Sequence, residues 1–294
     1  MYLKRWFWFW GNSHSTFREY LLASSTTDRK SLPRIDSLGS RQFLLHLIPH
    51  LSTVPSAIRP LVTSQKRTRA LDVGAGIGRV TSDVLLHLVS DVVLVEPVES
   101  FIQKAYVLGS ASASSEAPCG KRRGVRWKGI ADKSKSVTFL QGTLQSIDPV
   151  TPLNDTKFIG RIGYEPAEAD LGSGFDVIWC QWCLGHLSDT DLVAFLRRCK
   201  NSLRPSVAGS GKSVIVVKEN LCFDHPDGSP RTVFDPQDSS LTRSIPNSMS
   251  FFQSSDSFSR SDKAWKKVFA DAGLNLVQDR VQLGLPECLY TVKM

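Results

Sequence analysis

Residues 70–96 predict a mainly parallel, doubly wound α/β sheet, and three features carry that prediction. A short apolar strand, Ala70-Leu71-Asp72-Val73, runs into a glycine turn, Gly74-Ala75-Gly76-Ile77-Gly78. Apolar positions at helical spacing follow at Val80, Val84, Leu85 and Leu88. A second strand, Asp91 to Val95, then closes on Glu96-Pro97. Strand, glycine turn, helix, strand and terminal carboxylate form one βαβ unit, and strands alternate with helices through the rest of the chain.

Residues 1–30 show no sustained period and read as a divergent tail before a single domain, 31–294. From Ser40 to His50, Phe43, Leu44, Leu47 and Ile48 recur at helical spacing behind a Ser40 cap, and Pro49 follows. Beyond the βαβ unit, residues 110–136 are rich in Ser, Ala and Gly, then in Lys and Arg, and predict an inserted loop. Val137 to Leu140 resumes as a strand, and a Pro- and Gly-rich second loop spans 150–174. Phe175 to Trp179 reads as a buried strand, and Asp189 to Cys199 as a helix carrying Leu192, Phe195 and Leu196. Ser213 to Lys218 is a further apolar strand, and 253–262 is a polar loop insertion. A helix from Ala264 to Ala272 stops at Gly273, with two last strands expected near 274–282 and 288–293.

The chain of 294 residues is 41% hydrophobic and 22% charged, which excludes a mainly disordered protein. No stretch approaches the ~20 apolar residues of a spanning helix. Behind Lys4 and Arg5, the run Trp6 to Trp10 is short of the ~7–15 residues of a signal core. It reads as a surface anchor or a loosely packed tail. Six unevenly spaced cysteines predict reduced thiols, hence the cytoplasm and also the nucleus. Cys180, Cys183 and His186 read C-x-x-C-x-x-H, but without a fourth ligand of recognisable spacing they predict packing, and no metal is expected.

The net charge of +8 by itself suggests nucleic-acid binding, but its distribution does not. Residues 1–69 carry 11 basic and 3 acidic side chains, the loop 110–136 carries 7 and 2, and the remainder has 18 against 23. The remaining body is acidic and suits a cationic partner. No nucleic-acid or membrane partner is expected, and the chain is expected to be a monomer.

The glycine turn has the pattern G-x-G-x-G. A dinucleotide fingerprint would place a glycine or alanine at the position of Arg79, so the pattern weighs against NAD. Glycines permit close backbone approach and positive φ, and the helix start behind them offers unpaired N–H groups. A carboxylate at Glu96, at the end of the next strand, can accept both ribose hydroxyls of an adenosine.

The segments A-L-D-V-G-A-G-I-G-R at 70–79, F-D-V-I-W-C-Q-W-C-L-G-H-L at 175–187, F-L-R-R-C-K-N-S-L-R-P at 195–205, V-K-E-N at 217–220 and D-P-Q-D-S-S at 235–240 resemble the N-terminal Xaa-Pro-Lys N-methyltransferase family. They occur in the family's order, over about two-thirds of the chain. The resemblance implies a Rossmann-like class I methyltransferase fold with a seven-stranded sheet and S-adenosyl-L-methionine as cofactor. It implies methylation of the α-amine of basic protein N-termini that read small residue, Pro, Lys or Arg, such as those of ribosomal or chromatin proteins. By position it implies that Gly74, Arg79, Glu96, Leu144, Gln145 and Gln181 line the cofactor site, with Arg79 facing the methionine carboxylate. Leu32 and Trp182 then wall the peptide channel. Asn220, Asp235, Asp238 and Ser240 bind the peptide's first residues, with His186 beside them. One stretch departs from the family. Where its members carry a Tyr-Trp pair and a Gly-Met-Leu-Gly-Gly loop before Ile35-Asp36, this chain reads S-S-T-T-D-R-K-S-L-P-R.

The residue types suit the chemistry. An α-amine has a pKa near ~7.7–8, so only a minority is free base at neutral pH. Asp238, with Asn220 and helped by His186, can hold the amine and take its proton. Taken singly, His186 and Trp182 also fit core roles, and Asp238-Ser239-Ser240 a helix cap. Two other readings stay open: a small-molecule methyltransferase on the same fold, and an inactive cofactor-binding paralogue acting as a partner subunit.

Overall fold

The computed structural model describes residues 32–54, 67–113, 126–167, 172–205, 212–234, 258–285 and 291–294. Its centre is the strand β1 (Arg69–Val73), buried along its whole length and paired in parallel with β2 (Asp91–Glu96) on one side and β5 (Val177–Gln181) on the other. Beyond β2 lie β3 (Ser136–Gln141), parallel, and β4 (Lys157–Gly163), antiparallel. Beyond β5 lies β6 (Val214–Cys222), also parallel, and then the short pair β8 (Phe258–Ser261) and β7 (Thr232–Phe234). The strand order is β4-β3-β2-β1-β5-β6-β8-β7, with β9 (Val292–Lys293) antiparallel to β6.

The central strands are buried along their length and mostly apolar because both faces of the sheet are covered. Alternate residues serve opposite layers. Ala70, Val92, Leu94, Phe139 and Trp179 pack with Phe43 and Leu44 of helix α1 (Leu32–Leu47) and Ile102 of α3 (Glu99–Ser110). Leu71, Val93, Val95 and Ile178 pack with Leu192, Phe195 and Leu196 of α4 (Asp189–Asn201) and Trp265 and Val268 of α5 (Asp262–Asp271). Helix α2 is only Arg79–Asp83, followed by a 3-10 turn, Leu85–His87, so the apolar spacing at 80–88 is shared between two short elements. Ser188 and Ser261 cap α4 and α5, accepting the backbone N–H of Asp191 and Ala264 respectively.

The doubly wound class agrees with the sequence, and several local expectations are corrected. Among the described residues the sheet has nine strands rather than seven. The segment expected as a loop at 150–174 contains β4, whose glycines hid it. Gly160 sits where a Cβ would lie 2.6 Å from the Tyr106 ring, so a glycine is required by close packing inside a strand. The loop at 110–136 is packed at its end, where Trp127 stacks on Phe139 with ring centroids 5.8 Å apart. The insertion at 253–262 holds β8 and the start of α5. The strand expected at 274–282 reduces to a single bridge between Val281 and Lys293, because Leu276 and Val277 face solvent. Helix α1 begins at Leu32, eight residues before the Ser40 cap read from the sequence. Ser40 is instead fully buried inside it. Among the described residues, no helix is long and apolar enough to cross a membrane.

Candidate active site

The parallel strands all point their carboxyl ends the same way, and the strand order reverses at β1. A crevice at that edge is the usual ligand position of an open α/β sheet. Gly74 and Gly76 follow β1 with φ of 60° and 57°, the left-handed region. A Cβ on Gly74 would lie 2.4 Å from the Cβ of Cys183, so this glycine is required for packing as well as conformation. A Cβ on Gly76 would meet nothing within 4 Å, so its backbone faces open space.

Glu96 ends β2 directly beside that loop. Its Oε2 accepts the Gly76 N–H at 2.8 Å and its Oε1 the Val98 N–H at 2.9 Å. Burial pushes its carboxyl up to about 7; the two backbone bonds resist the rise and the Asp72 charge adds to it. Asp72 on β1 accepts the Thr81 hydroxyl at 2.6 Å and is likewise pushed by burial up to about 7. Two acids of raised pKa therefore adjoin the glycine loop.

Arg79 opens α2 and reaches across to α1, donating from Nη1 to Oδ2 of Asp36 at 2.7 Å. Asp36 is 4% exposed and also binds Lys218 Nζ, which is fully buried on β6. Gln181, the last residue of β5, donates from Nε2 to both Asp36 oxygens at 3.3 and 3.2 Å and accepts the Trp179 indole N–H at 3.1 Å. Burial alone would raise Asp36, but the Arg79 and Lys218 charges outweigh it and hold the carboxyl below its usual range. Burial lowers Lys218, against the pull of Asp36. Two cations thus share one buried carboxylate at the crevice, an excess of positive charge that suits a ligand carboxylate.

Leu144 and Gln145 follow β3. Leu144 is buried, while Gln145 is exposed. Their carbonyls accept Arg198 Nη2 of α4 at 2.8 and 3.0 Å, and Ile147 O accepts Arg198 Nε at 2.8 Å, so one guanidinium holds this loop.

Trp182 follows Gln181 with φ of 54°, an unfavourable conformation for a large side chain. One backbone hydrogen bond and one carboxylate hold it there. Its N–H donates to Lys218 O at 3.1 Å, and Glu219 Oε1 accepts the next two backbone N–H groups, of Cys183 and Leu184, at 3.0 Å each. Burial pushes Glu219 up to about 7. The Trp182 ring lies 5.7 Å from the Arg79 guanidinium, and its buried Nε1 has no hydrogen-bond partner among the described residues. His186 ends the 3-10 turn Leu184–His186, half-buried, and burial draws its pKa down to about 4, so the ring is neutral at pH 7. Asn220 is half-buried on β6, paired with Val292. Leu32 is half-buried at the first residue of α1. Asp235, Asp238 and Ser240 lie outside the described residues.

Gly74, Arg79, Glu96, Gln181 and Trp182 are thus brought to one edge of the sheet, joined by hydrogen bonds or close contacts through Gly76, Asp36 and Cys183. Sequence reasoning passed over Asp36, Lys218, Glu219 and Arg198 as site residues. The signal available was the pair Lys218-Glu219 directly after the apolar run Val214 to Val217, since charges there are buried only with partners. Cys180, Cys183 and Cys199 are buried free thiols with raised pKa values. Among the described residues no group of three or more His, Cys, Asp or Glu is placed to hold a metal ion.

The geometry fits S-adenosylmethionine. Open space over Gly76 can take the nucleoside, Glu96 its ribose hydroxyls, and the cationic pair its carboxylate. The sequence profile of the AdoMet-dependent proline di-methyltransferases matches residues 21–119, 157–256 and 246–294. The chain is 31% identical to alpha N-terminal protein methyltransferase 1 of Schizosaccharomyces pombe over 263 residues, covering 90% of this chain and 82% of that protein. It is 31% identical to the Arabidopsis thaliana protein of the same name, over 88% of this chain and 67% of that one. It is 30% identical to human N-terminal Xaa-Pro-Lys N-methyltransferase 1, over 76% and 69%. In fold it is similar to a solved SAM-dependent methyltransferase of Leishmania major, with a TM-score of 0.54 at 23% identity, covering 94% of this chain and 78% of that one. The chain therefore belongs to the S-adenosylmethionine-dependent α-N-terminal protein methyltransferase family.

Proposed function

We propose that this protein methylates the free α-amine of proteins whose N-terminus reads Xaa-Pro-Lys or Xaa-Pro-Arg. The observation that carries the reading is the Gln181–His186 turn. Glu219 holds its backbone and Trp182 is kept left-handed beside Arg79, so an aromatic wall stands at the mouth of the cofactor crevice.

Glu96 holds the ribose hydroxyls, Arg79 the methionine carboxylate, and Gly74, Leu144, Gln145 and Gln181 line the rest of the cofactor site. When bound, S-adenosylmethionine supplies an electrophilic methyl group on a sulfonium. Trp182 and Leu32 wall the peptide channel, Leu32 forming one side of the proline slot. Asn220 and Ser240 bind the peptide's first residues, and Asp235 pairs with the Lys or Arg at position three. Asp238 holds the amine and accepts the proton released as nitrogen bonds to carbon and the carbon–sulfur bond breaks. His186, neutral at pH 7 because burial holds its pKa near 4, orients the amine by hydrogen bonding and leaves the proton to Asp238. Rate comes chiefly from aligning nitrogen, methyl and sulfur in line. The substrates are basic protein N-termini of the kind found in ribosomal and chromatin proteins.

The test is transfer from labelled S-adenosylmethionine to a Ser-Pro-Lys peptide and to its N-acetylated copy. Label on the free peptide alone is expected. Equal label on the acetylated copy defeats the α-amine reading. Cofactor binding without transfer favours the inactive-paralogue reading, which the replaced loop at 24–34 supports.

A further inference from the structure

Asp36 lies on α1, well away in sequence from the motifs of the crevice, yet its carboxylate touches three of the elements that build it. Oδ2 takes Arg79 Nη1 of α2 at 2.7 Å, both oxygens take Gln181 Nε2 of β5, and Oδ1 takes Lys218 Nζ of β6. Lys218 Nζ is further bound by Ser40 Oγ at 2.9 Å and Gln282 Oε1 at 3.1 Å. Gln282 Nε2 returns to Ile35 O at 3.4 Å, and a Cβ on Gly39 would fall 2.4 Å from that nitrogen. Contacts of α1 at Ile35, Asp36, Gly39 and Ser40 therefore fix the helix against Gln282, Lys218 of β6 and the crevice.

A buried carboxylate with cations on two sides is over-determined in position. A guanidinium that spends one of its N–H groups on such an anchor keeps the remaining ones aimed. We propose that Asp36 is a positioning residue of the cofactor site, holding Arg79 and Gln181 in their binding orientation and tying α1, with Leu32 on its first turn, to them. This rests on the reading that Arg79 and Gln181 contact the cofactor.

Asp36→Asn alone would strand the buried Lys218 cation and risk misfolding. The test therefore uses Lys218→Met as background, in which Asp36 keeps Arg79 as its ionic partner. Dissociation constants for S-adenosylmethionine and S-adenosylhomocysteine are measured by calorimetry in K218M, in D36N/K218M, and in each with Arg79→Met. Loss of the anchor is expected to weaken both ligands equally, by about tenfold, the scale of one charge-assisted hydrogen bond. In the Arg79→Met background that loss should shrink to about twofold. S-adenosylmethionine carries one more positive charge than its demethylated product, so a loss confined to it reports the field of Asp36 and overturns the proposal. Equal affinities in K218M and D36N/K218M overturn it as well, as does a loss unchanged by Arg79→Met. If Arg79→Met itself leaves affinity intact, the assignment of Arg79 to the cofactor is what fails.

Discussion

Glu96 and Asp36 are both buried carboxylates at the same edge of the sheet, 5% and 4% exposed, and their environments push them in opposite directions. Among the described residues Glu96 is served only by backbone N–H groups and has Asp72 nearby, so burial prevails and its carboxyl rises to about 7. Asp36 is buried as deeply, but Arg79 and Lys218 overcome the same penalty and keep it ionised below the usual carboxylate range. The contrast shows a division of labour. The glycine-loop acid sits near its switching point at neutral pH. The α1 acid stays charged above its lowered pKa and binds two cations.

The largest expected effect breaks the anchor. Asp36→Ala leaves Lys218 fully buried without its ionic partner and should cost about 3–5 kcal/mol in urea unfolding. Lys218→Met in the same chain should recover most of that, and an undiminished loss would show that the pair is not what stabilises this junction. Next in size is the glycine loop. Gly74→Ala meets both a positive φ and Cys183 and should cost about 2–4 kcal/mol. Gly76→Ala meets only the φ and should cost about 1–2 kcal/mol, yet its methyl enters the open space and should weaken S-adenosylmethionine by about tenfold. Equal affinities for the two alanine variants would place the ligand elsewhere.

The pH dependence separates the two carboxylates directly. An acid whose folded pKa is raised keeps its proton while the unfolded chain loses it. Glu96 therefore subtracts stability progressively as pH rises from 4.5 to about 7. Asp36 works the other way: its contribution is complete above 3.8 and is lost only as pH falls through its lowered folded value. Glu96→Gln should make the decline in urea midpoint between pH 4.5 and 7 shallower, leaving the shares of Asp72 and Glu219, and leave the acid limb below pH 4 unchanged. Wild-type cofactor binding near pH 6 should release protons as ribose hydroxyls favour the ionised carboxylate, seen as a buffer-dependent calorimetric enthalpy that Glu96→Gln abolishes. The smallest effect is expected at Glu219. Glutamine retains an Oε1 acceptor for the Cys183 and Leu184 N–H groups, so Glu219→Gln should change stability by less than about 1 kcal/mol. Glu219→Ala orphans both donors and should cost about 2–3 kcal/mol.

Much of the glycine-loop region was legible in the sequence because its determinants are local. Gly74, Gly76 and Glu96 lie within one βαβ unit, and their spacing alone implies a turn, a helix start and a strand end. The α1 anchor was illegible for the opposite reason. Asp36 meets Lys218 across most of the chain, and neither residue has a local pattern that names the other. Strand β4 escaped notice because it is antiparallel at the sheet edge, with exposed residues at Lys157 and Phe158 and glycines at 160 and 163, so it has no continuous apolar run. Trp182 was singled out by its motif, but its left-handed backbone depends on Glu219 and the Lys218 carbonyl, which pairing of β5 with β6 brings alongside.

The sequence alone therefore determined the class of sheet, the glycine loop, the acid that ends β2 and, through its motifs, the family. Each rests on periodicity or on residues a few positions apart, where backbone sterics and burial act without a partner. Only the tertiary structure decided which charges are buried together. Desolvation and Coulomb attraction depend on who stands opposite, and the same carboxylate chemistry yields a near-neutral switch at Glu96 and a fixed anion at Asp36.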